Sequence, residues 1–203
     1  GRWMVYGPTQ ASGGSLSWAL RALGDPTPDQ ALAEAAQAEP GAAGVLFLPY
    51  LQGERAPLWD PRARGAFVGL TTVHERRHLL RAVLEGVACS VRHVLSAAEA
   101  STGATADEVR VAGGGARVPT WNQIKADVTG RIFRPCTTTE NGVLGAAMLA
   151  AIGAGLFDGA AAAGQAMVSL EAPVLPDSTR HELYETTFER YIAAYPRLRG
   201  LFI

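Results

Sequence analysis

EVRVAGGGARVPTWNQIKADVTGRIFR, residues 108–134, decides how the rest of the chain is read. Its opening segment, Glu108 to Ala112, alternates in the manner of a β-strand. Gly113-Gly114-Gly115 comes next, and Pro119 then fits the first turn of a helix that runs to Gly130. Ile132-Phe133-Arg134 predicts a second short strand, ended by Pro135. Three glycines between a strand and a helix are costly to order, and without side chains they let the backbone lie flat against a ligand. No Gly-Lys-Ser/Thr follows, so this is not a Walker A loop, and the spacing is not the GxGxxG of dinucleotide folds. Physical reasoning alone therefore gives a ligand-binding turn and leaves the ligand open.

The same alternation of strand and helix extends outward. Residues 2–6 predict a strand, followed by the Ser12-Gly13-Gly14-Ser15 turn and a helix through Leu23. A helix from Pro28 to Ala38 takes Thr27 as its cap. Val45-Leu46-Phe47-Leu48 is a continuous apolar run suited to a buried strand. A long loop over 49–65, rich in Pro and charge, ends at a short strand, Phe67 to Leu70. Loops of that length in a compact domain are usually functional or interfacial. Thr72 with Glu75 reads as a capping box, after which Leu80, Val83, Leu84, Val87, Val91, Val94 and Leu95 recur at helical spacing to about Ala100. A small-residue helix covers 141–155, and an Ala-rich segment continues to Met167. Pro173 and Pro176 mark a break before a final amphipathic helix from Ser178 or Thr179, carrying Leu183, Tyr184, Phe188, Tyr191 and Ile192. There is no internal repeat, and the whole reads as a single α/β unit.

The chain has 203 residues, room for a sizeable core. Its 18 Lys+Arg against 19 Asp+Glu argue against a general nucleic-acid or membrane-surface binder, which carries a basic excess. The 48% hydrophobic content argues against disorder. There are 36 alanines, and 17 of the 18 basic residues are Arg, with Lys125 the only lysine. Such usage fits codon bias in a GC-rich genome and a bacterial source. Cys89 and Cys136 are too few for a disulfide framework, and Cys89 reads as a small buried hydrophobe, so a cytoplasmic protein is expected. No signal-peptide pattern opens the chain. The longest uncharged apolar run, Val143 to Phe157, is 15 residues, short of the roughly 20 that cross a bilayer. The start, Gly1-Arg2-Trp3-Met4-Val5-Tyr6, already lies in strand-like alternation without an initiator Met, and further chain upstream is expected.

Two other patterns carry a chemical reading. His74-Glu75-Arg76-Arg77-His78 matches the HExxH of zinc peptidases, with Glu99 as a conceivable third ligand. Against this, Glu75 is already explained by the capping box, and two arginines inside the motif would oppose a dication. His74, His78, Arg81 and Glu85 would also share one solvated helix face. The motif is therefore read as surface helix, and His93 and His181 as ordinary structural histidines. Ser12-Gly13-Gly14-Ser15 is either a turn whose backbone lets a nucleotide approach, with helix-start amides facing an anion, or a plain helix cap; taken alone, the cap is favoured.

A resemblance goes further. Phe47-Leu48-Pro49-Tyr50-Leu51-Gln52-Gly53-Glu54-Arg55-Ala56-Pro57, then Trp59-Asp60-Pro61, Ala63-Arg64-Gly65 and Gly69-Leu70-Thr71, resemble the FGGY carbohydrate kinases, in wording closest to the branch that phosphorylates xylulose. Arg81-Ala82-Val83-Leu84-Glu85-Gly86-Val87 is similar to a helix of that family. Gly113 to Arg117, Trp121, Gln123, Ala126-Asp127-Val128 and Gly130 resemble its adenosine motif, and Leu144-Gly145-Ala146-Ala147 the small-residue helix after it. The matches follow the family's order over nearly the whole chain.

The resemblance implies an actin-like, ribonuclease-H-like ATPase fold of two domains, of which this chain is the later part of the C-terminal, nucleotide-binding one. It implies ATP and Mg²⁺ as cofactors and a sugar such as xylulose as substrate, with glycerol, ribulose or gluconate as within-family alternatives. A non-catalytic actin-like module is a further alternative. Gly114, Gly115 and Ala116 would pack against the adenosine, with Val118 beside them where the family commonly has Ser or Asn. Gly13, Leu16 and Ser17 would line the other side, Ser17 standing where glycerol kinases carry Gln. Asp127 would be structural. The catalytic aspartate, the phosphate loops and most of the sugar pocket would lie upstream, so the chain alone is expected to be inactive and to bind nucleotide weakly. Loop 49–65 and the final helix are candidate surfaces for a homodimer.

Overall fold

A computed structural model describes residues 4–202. The helices are α1 (Gly13–Ala22), α2 (Pro28–Ala36), α3 (Arg76–Thr102), α4 (Pro119–Thr129), α5 (Asn141–Gly153), α6 (Ala160–Met167) and α7 (Ser178–Leu198). The strands are β1 (Leu46–Leu48), β2 (Ala66–Val68), β3 (Glu108–Val111) and β4 (Ile132–Pro135). β1 and β2 pair antiparallel with Phe47 opposite Phe67, and β3 and β4 pair parallel with Val109 opposite Phe133. The far edge of β4 is covered by bridges from Phe133 to Val174 and from Cys136 to Leu170.

α3 is the axis of the molecule. All eleven residues from Leu80 to Ser90 are buried, because α1, α2, α4, α7 and β1 pack around it. The larger core cluster joins Leu80, Leu84 and Val87 of α3 to Leu48, Trp121, Ile124, Tyr184 and Tyr191. A smaller one centres on Phe47, whose ring lies 5.8 Å from Trp18 and 4.8 Å from Phe67. α2 begins as expected, with Pro28 at the first position and Thr27 capping Gln30 reciprocally. α3 ends at Gly103 and α4 at Gly130, both left-handed, a conformation glycine adopts without steric penalty. Burial makes Cys89 inert and pushes its thiol pKa well up, in keeping with a small core hydrophobe.

Three expectations need correction. Residues 4–6 form no strand, and residues 2–3 of that expected element lie outside the described residues. Thr72 does not cap α3. The helix starts later, at Arg76 with Glu75 as its cap, and Glu75 N donates to His78 Nδ1 at 2.9 Å. Arg81 and Glu85 do not share a solvated face, being 7% and 2% exposed; they pair inside the core. Loop 49–65 is partly sunk into the core: Tyr50, Glu54, Ala56, Asp60 and Ala63 are buried, whereas Gln52, Arg55, Trp59, Arg62 and Arg64 are exposed. Tyr195 of α7 donates to Asp60 Oδ2 at 2.6 Å, and Tyr50 to the Tyr191 hydroxyl at 2.8 Å, so the loop and the last helix pack on each other. Among the described residues no helix is long and apolar enough to cross a membrane.

Candidate functional site

The glycine turn connects β3 to α4 through a short 3-10 segment, Gly114–Arg117. Gly113 enters it with φ +79°, a left-handed conformation that a side chain would strain. A Cβ at Gly113 or Gly114 would meet no atom within 4 Å, so the outer surface of the turn is open. Its underside is packed. Ala116 is buried, and its carbonyl accepts from Asn122 Nδ2 at 2.7 Å. At Gly115 a Cβ would touch the Trp121 ring at 3.5 Å and Lys125 Nζ at 3.8 Å. Trp121 in turn donates its indole N–H to the Leu84 carbonyl of α3 at 3.1 Å, which ties the turn to the molecular axis.

α1 provides the second open turn. Ser12 precedes it without a side-chain capping bond, so the plain-cap reading of Ser12-Gly13-Gly14-Ser15 is not what the backbone shows. Gly13 and Gly14 are exposed, with no atom near a Cβ built on either. Ser15 is buried, whereas Ser17 is exposed and donates back to the Gly13 carbonyl at 3.3 Å. The start of α1 opens onto a cleft of about 270 Å³ lined by Gln10, Ser12, Gly14, Arg21 and Gln52 among others. Free amides at a helix start and a nearby arginine suit an anion. Leu16 and Val118 both pack against the larger core cluster, so the two turns are fixed to one body.

Asp127 faces away from this region. Its carboxylate accepts from Gln123 Nε2 at 2.7 Å and from Asp177 N at 2.9 Å, and it approaches Arg180 at 3.5 Å. It anchors the start of α7 and is a structural group. His181 donates its Nδ1–H to the Asp127 carbonyl at 2.8 Å, and its Nε2 lies 3.2 Å from Glu185. His93 is half-buried, and burial alone lowers its pKa.

The HExxH pattern does not assemble a metal site. His74 and Glu75 precede the helix, and the Nδ1 atoms of His74 and His78 accept the Thr71 and Glu75 backbone N–H groups. Glu99 pairs instead with Arg131 at 3.1 Å, which holds its pKa down together with the Ala106 N–H. Among the described residues no group of three His, Cys, Asp or Glu could hold a metal ion.

Neither Asn122 nor Lys125 carries a motif signal, yet both reach beneath the glycine turn. The available hint is positional. Eight of the eleven α4 residues are buried, so a lysine inside that helix has to be accommodated by the core.

Two open glycine turns on an α/β body, one of them joining strand to helix, fit a domain of the actin-like ATPase class. The chain belongs to the FGGY family of carbohydrate kinases: residues 1–154 match the family's C-terminal domain. It is similar to a xylulose kinase of Lactococcus lactis, 35% identical over 191 residues, which cover 93% of this chain and 38% of that protein. It is also similar to a glycerol kinase of Geobacter, 36% identical over 185 residues, covering 90% of this chain and 37% of that one. The solved structure of a ligand-bound xylulose kinase from Lactobacillus acidophilus superposes with a TM-score of 0.87 at 30% identity, over 97% of this chain and 40% of its own. The chain thus spans about two-fifths of the length of these relatives.

Proposed function

We propose that this chain supplies the nucleotide side of the cleft in an ATP-dependent sugar kinase, with xylulose as the sugar. The adenosine would lie between two faces: Gly114, Gly115, Ala116 and Val118 on one, and Gly13, Leu16 and Ser17 on the other. The observation that carries this reading is the pair of open glycine turns on one packed body, with no atom within 4 Å of a Cβ built on Gly13, Gly14, Gly113 or Gly114. Ser17 can still accept a hydrogen bond while donating to Gly13, and Val118 offers only apolar contact. The wording of loop 47–70 and the xylulose kinase relatives favour xylulose, and glycerol is the rival that a second relative supports.

In such a kinase a sugar hydroxyl attacks the γ-phosphoryl group, and catalysis is mainly positioning and charge stabilisation. This chain's part is to bind and orient the nucleotide. Under this reading the catalytic aspartate and the protein ligands of Mg²⁺, which would neutralise charge on the phosphates, come from the rest of the enzyme.

A chimera tests it: this chain in place of the corresponding C-terminal portion of the Lactococcus xylulose kinase. ADP release should depend on xylulose and exceed that with glycerol. The chain by itself should release none and bind ATP more weakly than micromolar by calorimetry. A well-folded chimera with no sugar-dependent turnover would point instead to a non-catalytic module, and sugar-dependent ADP release by the chain alone would also refute the division of labour.

A further inference from the structure

Lys125 is the only lysine of the chain, is 7% exposed, and lies under the glycine turn. Its Nζ is 3.4 Å from the Gly115 carbonyl, 3.4 Å from Asn122 Oδ1 and 4.5 Å from the centre of the Trp121 ring. Among the described residues no carboxylate pairs with it. In the 3-10 turn packed against α4, exposed Arg117 donates to Thr139 Oγ1 at 3.4 Å, and the following charged groups on the other packed elements are engaged elsewhere. On α3, Arg81 is closed on Glu85 and Tyr184, and Arg92 on Glu185 and the Val128 carbonyl. On α7, Arg180 faces Asp127 and His181 faces Glu185; beyond α4, Arg131 is held by Glu99 and Arg134 by Glu108. A buried ammonium without a counter-charge costs stability. Here its donors point at the carbonyl side of the β3–α4 glycine turn, whose outer surface is open.

We infer that Lys125 is a positioning residue of the nucleotide site, its ammonium holding the Gly115 carbonyl from beneath so that the turn presents its open face to a nucleoside diphosphate or triphosphate. The inference rests on the nucleotide reading above and adds a residue to it. Two effects act in the same direction. The ammonium draws the Gly115 carbonyl inward, together with Asn122 on Ala116, and its uncompensated charge favours an anion over the turn. Burial alone lowers the Lys125 pKa to about 8, so the charge that strengthens this hold is lost just above neutral pH. If nucleotide binds the charged form better, binding raises that pKa. Affinity is then full below the free-state value and falls as pH rises through it.

The single lysine makes the test direct. Chain labelled with ¹³C at the lysine ε carbon gives one lysine resonance, whose titration midpoint is followed with and without saturating ADP. The expected midpoint lies near 8 in the free chain and moves up on ADP binding by about half a pH unit or more, equivalent to about a threefold preference for the charged form. In parallel, ADP affinity of the wild type should fall about threefold between pH 7 and 9.5, whereas Lys125→Met should be about threefold to tenfold weaker at pH 7 and flat with pH. ADP saturation is read independently from the amide signals of Gly113 to Ala116. An unmoved lysine midpoint with those amides saturated would overturn the role of Lys125 while leaving the site intact. Amides that never respond to ADP would overturn both. If Lys125→Met fails to fold, the wild-type titration still decides.

Discussion

Replacing Gly86 by Ala is expected to cost about 3 kcal/mol or more, a large share of the roughly 5–15 kcal/mol that holds a domain folded. In an exposed helix the same change gains up to about 1 kcal/mol, so the sign itself is diagnostic. Gly86 lies mid-way along α3 on the face against β1. A Cβ there would run directly into the Phe47 carbonyl oxygen and come within 3.1 Å of its carbonyl carbon and 3.2 Å of its Cβ. None of these atoms is the free end of a side chain. Phe47 is 1% exposed, sits in register opposite Phe67 and is packed by the Trp18 ring. Relief would require β1 to leave α3, which opens both core clusters. Gly153→Ala is the control, since its Cβ would meet no atom within 4 Å. Urea unfolding of both variants should show a large fall in midpoint for Gly86→Ala and little change, or a rise, for Gly153→Ala. Equal midpoints would mean that α3 and β1 do not pack this closely.

Local patterns foretell the elements whose causes are local. The strand–glycine–helix–strand order over 108–134, the Thr27 cap and the glycine end of α4 follow from backbone chemistry within a few residues. The apolar spacing of α3 is equally visible, and so is the family, because its motifs are contiguous. What escapes is whatever depends on a distant partner. Thr72 and Glu75 satisfy the capping-box pattern, but His78 satisfies Glu75 as well, and the later start wins. Polar residues opposite an apolar stripe ordinarily face water. Arg81 and Glu85 do not, because Tyr184 lies about a hundred residues further along the chain and completes their hydrogen bonds inside the core. Loop 49–65 has a loop's composition, yet the Tyr195 hydroxyl draws Asp60 in. Of the candidate site, the glycines are legible and what packs beneath them is not: Asn122 and Lys125 donate to the carbonyls of Ala116 and Gly115, contacts that no spacing rule encodes.

The second large effect is expected at that buried pair. Arg81 Nε meets Glu85 Oε1 at 2.6 Å, the Tyr184 hydroxyl accepts from Arg81 at 2.8 Å and donates to Glu85 at 2.7 Å, and Gly41 N donates to the same carboxylate oxygen at 2.9 Å. Burial pushes the Glu85 carboxyl pKa up, against the pull of the Arg81 guanidinium and the Tyr184 hydroxyl. Arg81→Met removes the guanidinium and leaves the carboxyl enclosed, which should cost about 3–5 kcal/mol. The raised carboxyl pKa then rises further, and Glu85 folds protonated. A folded-state pKa above the unfolded one means that the native state binds the extra proton, so the variant's stability should fall as pH rises from the unfolded carboxyl range through the folded value. It should therefore be more stable at pH 5 than at pH 8. Adding Glu85→Leu removes the trapped acid and should recover part of the loss. Recovery stays incomplete because the Gly41 N–H and the Tyr184 hydroxyl lose their acceptor, at about 1–3 kcal/mol each. Urea unfolding of wild type, both single variants and the double variant closes the cycle, with a coupling of at least about 2 kcal/mol expected. Additive losses, or a single variant that costs under about 1 kcal/mol, would show that the pair is hydrated rather than sealed in the core.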